Sequence, residues 1–340
     1  MDNLTILKNT FHHSRYADKS KLVEMKEKQN LKISLAFPTL NEEKTIGKEV
    51  LIIKTELMNR FPLIDEIVVI DSKSTDNTCR IAADFGAKVY KSQDILKNKG
   101  SFRGKGENLW KSLYVLNGDI IIWIDADIKN IHPKFVYGLV GPLLEFPKLS
   151  YIKAFYERPI SIGNNYVPGG GRVTEILVRP LFSIFFPELA QLIQPLSGEY
   201  ASRRSLLEKL SFSVGYGVEL GHLVDIYHSE GPDVIGQVDL DRRIHRNQTI
   251  SSLGKMSFGI LHTFFNRLEK YYKIDIEELK NKFYTLILNE KEDYKTDKIE
   301  IPIIEREPIF DLKEYQNKFY GKSSEKDHRG ILDRIKDMLK

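Results

Sequence analysis

Apolar residues along this chain gather in short runs that end at polar ones. Leu31–Phe37 (LKISLAF), Ile64–Ile70 (IDEIVVI) and Asp119–Ile124 (DIIIWI) are rich in isoleucine and valine, as strands buried on both faces are. Between them Glu42–Arg60, Thr75–Phe85 and Lys105–Asn117 repeat apolar positions at intervals of three and four, the helical period. The alternation predicts βαβ units around a mostly parallel sheet, an α/β fold of Rossmann-like type. Right-handed crossovers would align the carboxyl ends of the strands along one edge, where open α/β sheets bind ligands.

Further along, Tyr151–Tyr156, Ser197–Arg203 and Val234–Leu240 read as strands, with a helix near Gly217–His228. Pro168-Gly169-Gly170-Gly171 breaks the chain ahead of a helix from about Arg172. Beyond about Ser251 the pattern turns helical, after Glu290 it becomes strongly charged, and Tyr320–Arg329 reads as a loop before a last basic helix. No internal repeat is evident.

The predicted sheet edge carries Pro38-Thr39-Leu40-Asn41-Glu42, Asp71-Ser72-Lys73-Ser74-Thr75-Asp76 and Asp125-Ala126-Asp127, all polar where a buried strand has just ended. Two carboxylates one residue apart suit a hard divalent cation bridging diphosphate oxygens, although such a pair also serves simply to end a strand or cap a helix. Asp71 stands at a strand end, available to a base or ribose, while Ser74, Thr75 and Asp76 suit a helix cap. Arg103-Gly104-Lys105-Gly106-Glu107 sets a cation between glycines just before a helix but lacks the spacing of a Walker A loop. Gly171, Arg172 and Thr174 form a glycine-rich helix start that suits phosphate, and a plain glycine hinge is the competing reading. His245 follows a predicted strand, where an imidazole would complete a metal shell if the fold brings it to the acids.

Composition narrows the classes. The chain has 340 residues, of which 41% are hydrophobic, enough for a substantial core. Its single cysteine, Cys79, excludes an intramolecular disulfide and fits a reducing compartment, the cytoplasm by default. A formal charge of +4 does not call for nucleic acid. No signal peptide or membrane anchor is predicted from the polar N-terminus and the short apolar runs.

In order, PTLNEE at 38–43, DSKSTDNT at 71–78, GKGENLW at 104–110 and DAD at 125–127 resemble the nucleotide-binding half of GT-A glycosyltransferases. KAFYERP at 153–159, GGGRVTE at 169–175, RPL at 179–181, QPLSGEYA at 194–201, GYGVE at 215–219 and IHRN at 244–247 resemble the glucosyl-3-phosphoglycerate synthases more narrowly, over about residues 31–265. The resemblance implies retaining transfer of glucose from UDP-glucose or GDP-glucose to D-3-phosphoglycerate. It implies a divalent metal, Mg2+ first with Mn2+ or Co2+ as alternatives, and a homodimer. By position, Pro38, Thr39, Leu40, Glu42, Ser72 and Lys105 would meet the donor, with Asp71 nearby and with Tyr216 and Glu219 against the sugar. Asp127 and His245 would hold the metal and Asp125 the ribose or metal. Gly171, Arg172, Thr174 and Asn247 would hold the acceptor, and Lys105, Asp127 and Glu219 would act in catalysis. The implied organisation is an N-terminal extension at 1–30, a nucleotide-sugar region at 31–150, an acceptor and catalytic region at 151–265 and a charged helical extension at 266–340. Thr39 and Lys73 depart from the PALNEE and DSGSTD of the family, both at the nucleotide edge.

Three other readings compete. A related transferase would use GDP-mannose, or take glycerate as acceptor. A sugar-nucleotide binding module would hold the ligand without turnover, but binding alone does not need a complete metal site. A nucleotidyltransferase would place a basic, glycine-rich loop after the first strand, where this chain has PTLNEE.

Overall fold

The computed structural model describes residues 5–162, 165–167, 171–244, 249–272, 274, 279–288 and 294–321. Strands β1 (Thr10–His12), β2 (Ile33–Thr39), β3 (Glu66–Asp71), β4 (Lys88–Lys91), β5 (Ile120–Trp123), β6 (Tyr151–Glu157), β7 (Tyr200–Arg203) and β8 (Ile235–Arg242) form one eight-stranded sheet in the order β1-β8-β6-β7-β5-β2-β3-β4. All neighbours run parallel except β7, which lies antiparallel between β6 and β5. The strand expected at Ser197–Arg203 forms as Tyr200–Arg203. Its reversal carries Ser197-Gly198-Glu199, the residues before β7, to the edge where β5 and β6 end.

Successive residues of the central strands enter opposite cores. Val68 and Ile70, with Ile121 and Trp123, join one apolar cluster, whereas Ile67, Val69, Ile120 and Ile122 join the other. Helices α1 (Lys19–Lys28), α2 (Ile46–Lys54), α3 (Thr78–Asp84) and α5 (Lys134–Glu145) cover the second face. Helices α4 (Lys105–Val115), α6 (Arg179–Phe185), α7 (Val218–Ser229) and α8 (Ile250–Tyr272) cover the first. The long pattern at Glu42–Arg60 becomes α2 followed by a π-helical turn, Thr55–Arg60.

The expected boundary at 150 is no break in the sheet, since β6 and β8 continue it beyond β7. The N-terminal extension likewise supplies the edge strand β1. The C-terminal extension is helical only in part. After α8 the chain forms an antiparallel hairpin, Lys282–Leu288 with Tyr294–Glu300. Phe283 and Thr285 are half-buried while Lys282 and Tyr284 are exposed, a period of two beneath the high charge. Glu305–Arg306 then pairs with Phe212–Ser213, and α9 (Lys313–Phe319) closes the described chain. The predicted last basic helix lies outside the described residues. No helix among the described residues is long and apolar enough to cross a membrane.

Candidate active site

A cleft of about 620 Å³ opens at the carboxyl ends of β2 and β5. Pro38, Thr39, Leu40 and Glu42 line it from the end of β2, and Ser72 from the turn after β3. Asp125 and Asp127 enter from β5, Lys105 from the start of α4, and Tyr216 and Glu219 from the start of α7. Gly171, Arg172 and Thr174 form another side. Gly171 has φ +81°, a left-handed turn that glycine adopts without strain, and Thr174 opens a π-helical stretch reaching Val178.

The floor is a network of opposite charges. Lys105 Nζ lies 2.6 Å from Asp125 Oδ1 and 2.9 Å from Glu219 Oε1. Arg243 Nη2 lies 3.1 Å from Asp125 Oδ2 and 2.6 Å from Asp127 Oδ1, while its Nη1 lies 3.3 Å from Glu199 Oε1. The Tyr156 hydroxyl donates to Glu199 Oε2. Burial works to raise the Asp125 carboxyl, but Lys105 and Arg243 outweigh it and hold it well below the usual carboxylate range. Burial opposes the Lys105 ammonium too, and Asp125 and Glu219 keep it charged above its usual range. The cleft therefore presents fixed charges that a polar ligand meets without having to order them. Carboxylate oxygens from Asp125 and Asp127 are the hard donors that a Mg2+-class ion prefers, so the residues present fit such an ion.

Backbone packing sets Lys105 in place. A Cβ on Gly106 would stand 1.8 Å from the Ser213 carbonyl oxygen, so only glycine lets α4 start against residues 212–214. Glu107 N donates to the Val214 carbonyl at 3.2 Å.

Asp71 does not reach the cleft. It is buried, its Oδ1 accepts from the Ser74 and Thr39 hydroxyls at 2.5 and 3.3 Å, and its Oδ2 accepts from Ser74 N at 3.0 Å. The carboxylate shapes its own turn and ties it to the end of β2. Of the residues expected at the start of the following helix, Asp76 accepts from Thr78 N through Oδ1 at 3.0 Å, while the cap position itself is Asn77, which makes no side-chain cap bond. His245 and Asn247 lie outside the described residues.

Sequence reasoning passed over Arg243, Glu199 and Asn108. Asn108 donates to the Ile70 carbonyl at 2.9 Å and accepts from the Ser72 hydroxyl at 2.9 Å, tying the β3 turn to α4. Arg243 stands just after β8, two residues before the histidine that drew attention, and the paired arginines there were the available signal.

Residues 34–210 match the family model described as glycosyl transferase family 2. A glucosyl-3-phosphoglycerate synthase of Petrotoga mobilis is 57% identical over 317 residues, covering 92% of this chain and 97% of the relative. The crystal structure of mannosyl-3-phosphoglycerate synthase from Rubrobacter xylanophilus superposes with a TM-score of 0.83 at 32% identity, covering 90% of this chain and 98% of that one. Glucosyl-3-phosphoglycerate synthase from Mycobacterium tuberculosis, in complex with Mn2+, UDP-glucose and phosphoglyceric acid, superposes with a TM-score of 0.77 at 36% identity, covering 88% and 97%.

Proposed function

The chain belongs to glycosyl transferase family 2 and, within it, to the glucosyl-3-phosphoglycerate synthases, and we propose that it moves glucose from UDP-glucose to the hydroxyl of D-3-phosphoglycerate with retention at the anomeric carbon. The observation that supports this reading is the Lys105–Asp125–Glu219 cluster, joined through Arg243 to Asp127, in a cleft also lined by Arg172 and Thr174. One end offers cationic and acidic groups for a metal-bound diphosphate, the other a helix start suited to a phosphate. UDP-glucose is preferred over GDP-glucose because the mycobacterial relative holds it.

A divalent cation held by Asp127, Asp125 and His245 would supply positive charge to the leaving diphosphate. Lys105 adds its ammonium to the same oxygens as the sugar–phosphate bond breaks. Glu219, held by Lys105, orients the glucose hydroxyls. Arg172, with Gly171, Thr174 and Asn247, fixes the acceptor phosphate so that the hydroxyl approaches the anomeric carbon, converting an encounter into a positioned reaction.

Mannosyl transfer from GDP-mannose is the second reading, favoured by the likeness to the Rubrobacter structure. Nucleoside-diphosphate release from UDP-glucose, GDP-glucose and GDP-mannose separates the two, measured with Mg2+ or Mn2+ and with D-3-phosphoglycerate, D-glycerate or no acceptor. UDP release that depends on phosphoglycerate and disappears in Asp127→Ala is the expected result. Release from GDP-mannose alone moves the donor, equal release with glycerate removes the phosphate cradle, and full activity of Asp127→Ala refutes the metal assignment.

A further inference from the structure

Beneath the cleft floor lies a basic side chain that the reaction outlined above does not use. Lys153, on β6, is 1% exposed. Its ammonium donates to the Ser197 carbonyl and sits 4.4 Å from the centroid of the Tyr200 ring. Ser197 opens the tripeptide Ser197-Gly198-Glu199, and the other two members lie against the charges of the cleft floor. Gly198 lies so close to the Lys105–Asp125 pair that a Cβ there would stand 2.1 Å from Asp125 Oδ2 and 2.5 Å from Lys105 Nζ. Glu199 is fully buried, receives Arg243 at 3.3 Å and accepts from Asp125 N at 3.4 Å.

We propose that Lys153 is a positioning residue for the transfer. By gripping the Ser197 carbonyl it sets the height of the Gly198 peptide under Asp125 and Lys105 and of Glu199 under Arg243. The inference rests on the transferase reading of the cleft. It explains a costly choice of side chain, because an ammonium in a dry interior loses its hydration and one carbonyl replaces little of it. Burial pushes Lys153 down to about 7, against the pull of Glu219, Glu199 and Asp125 and with the push of Lys105. A side chain that lowers stability while holding up the floor of a reactive cleft follows the trade of stability for function.

The test compares Lys153→Met, which keeps length and removes the donor, with Gly198→Ala, which forces the same peptide away from Asp125 without touching Lys153. Both are measured on the donor and acceptor that the wild-type enzyme turns over, so a misassigned substrate leaves the comparison intact. For Lys153→Met the expected result is a melting temperature at least equal to wild type, KM values within about twofold and kcat lower by roughly 10- to 100-fold, the scale of a small misplacement of reacting groups. Gly198→Ala is expected to lose kcat similarly, and the double variant to be little worse than either single one, because both act through one peptide. Wild-type kcat in Lys153→Met, or a loss of kcat that tracks a loss of folded protein, overturns the proposal. Should Lys153→Met fail to fold, a fully active Gly198→Ala overturns it instead, and a wild-type chain without turnover removes both the proposal and the reading beneath it.

Discussion

Glu49 lies on α2, fully buried behind the loop that carries the two aspartates, and its Oε1 accepts from Ile128 N at 2.8 Å, one residue beyond Asp127. Burial pushes this carboxyl well above its usual range, the Ile128 bond opposes the shift, and the charge of Asp127 adds to it. The sign follows from linkage. Below the ordinary carboxyl pKa both folded and unfolded chains carry the proton, so the titration of Glu49 adds nothing to the pH dependence of stability. As pH rises above that value the unfolded chain ionises freely while the folded one does not, and stability falls until the raised folded pKa is passed. Glu49→Gln resembles the protonated form and keeps an acceptor for Ile128. It should therefore match wild type below about pH 4.5 and exceed it increasingly toward pH 8 in denaturant titrations. A constant difference across that range would show that Glu49 is already ionised in the fold. Glu49→Ala, by contrast, leaves Ile128 N unsatisfied and should cost about 1–3 kcal/mol. At this scale the sequence was most readable where a polar residue ends a buried strand or opens a helix, as Asp125, Asp127 and Lys105 do. Arg243, Glu199 and Lys153 were silent because a charge beside a strand reads as a solvated one until its partner is known. Arg243 and Glu199 meet across 44 positions of sequence, and no local pattern announces such a pair.

Among the elements, the two-residue strand Glu305–Arg306 has consequences well beyond its length. Arg306 Nη2 and Nε lie 2.7 and 2.8 Å from the Glu107 oxygens, and its Nη1 donates to the Lys99 carbonyl at 2.9 Å. Its guanidinium also covers the Phe102 and Trp110 rings, at 4.6 and 4.8 Å. Glu107 sits two residues after Lys105, so a segment near the C-terminus braces the start of the helix that carries this cleft lysine. Arg306→Ala strands a buried carboxylate and should cost about 3–5 kcal/mol, with a higher donor KM as α4 loosens. Glu107→Gln combined with Arg306→Met removes both charges and should recover much of that stability. A double-mutant cycle with no coupling would mean that Lys111, 3.5 Å from Glu107, supports the carboxylate unaided. The strand escaped the sequence reading because two residues carry no period, and the preceding hairpin escaped because high charge masked its alternation.

For the whole molecule, the N-terminal segment is part of the enzyme's frame rather than an appendage. Strand β1 pairs along β8 through Thr10–Gln237, Phe11–Val238 and His12–Asp239, covering an edge that would otherwise present unpaired backbone groups. The residues after it clamp the end of β8. His13 Nε2 lies 2.6 Å and His12 Nε2 3.1 Å from Asp241, which holds a left-handed φ of +61° where the β8–β6 register shifts. Lys134, from α5, donates to it at 2.5 Å, and this bond, with those from the two imidazoles, keeps the Asp241 carboxyl far below its usual range. Arg15 and Tyr16 bind Glu145 at the far end of α5, at 2.6 and 3.0 Å. Arg243 follows Asp241 by two residues, so whatever fixes the kink also aims the guanidinium that joins Asp125 to Asp127. A non-glycine residue in left-handed backbone costs free energy that its surroundings must offset. Deleting residues 1–17 removes the histidines and the covering strand together. The truncated chain should melt at a lower temperature, associate through the exposed β8 edge, and lose kcat because Arg243 is no longer held, all of which calorimetry, light scattering and the transfer assay report. His13→Ala isolates the clamp from the strand, and it should lower kcat with little change in association. If the truncated chain kept wild-type turnover, the kink at Asp241 would be held by Lys134 and the β8–β6 ladder alone, and the N-terminal segment would act only as a cover for the sheet edge.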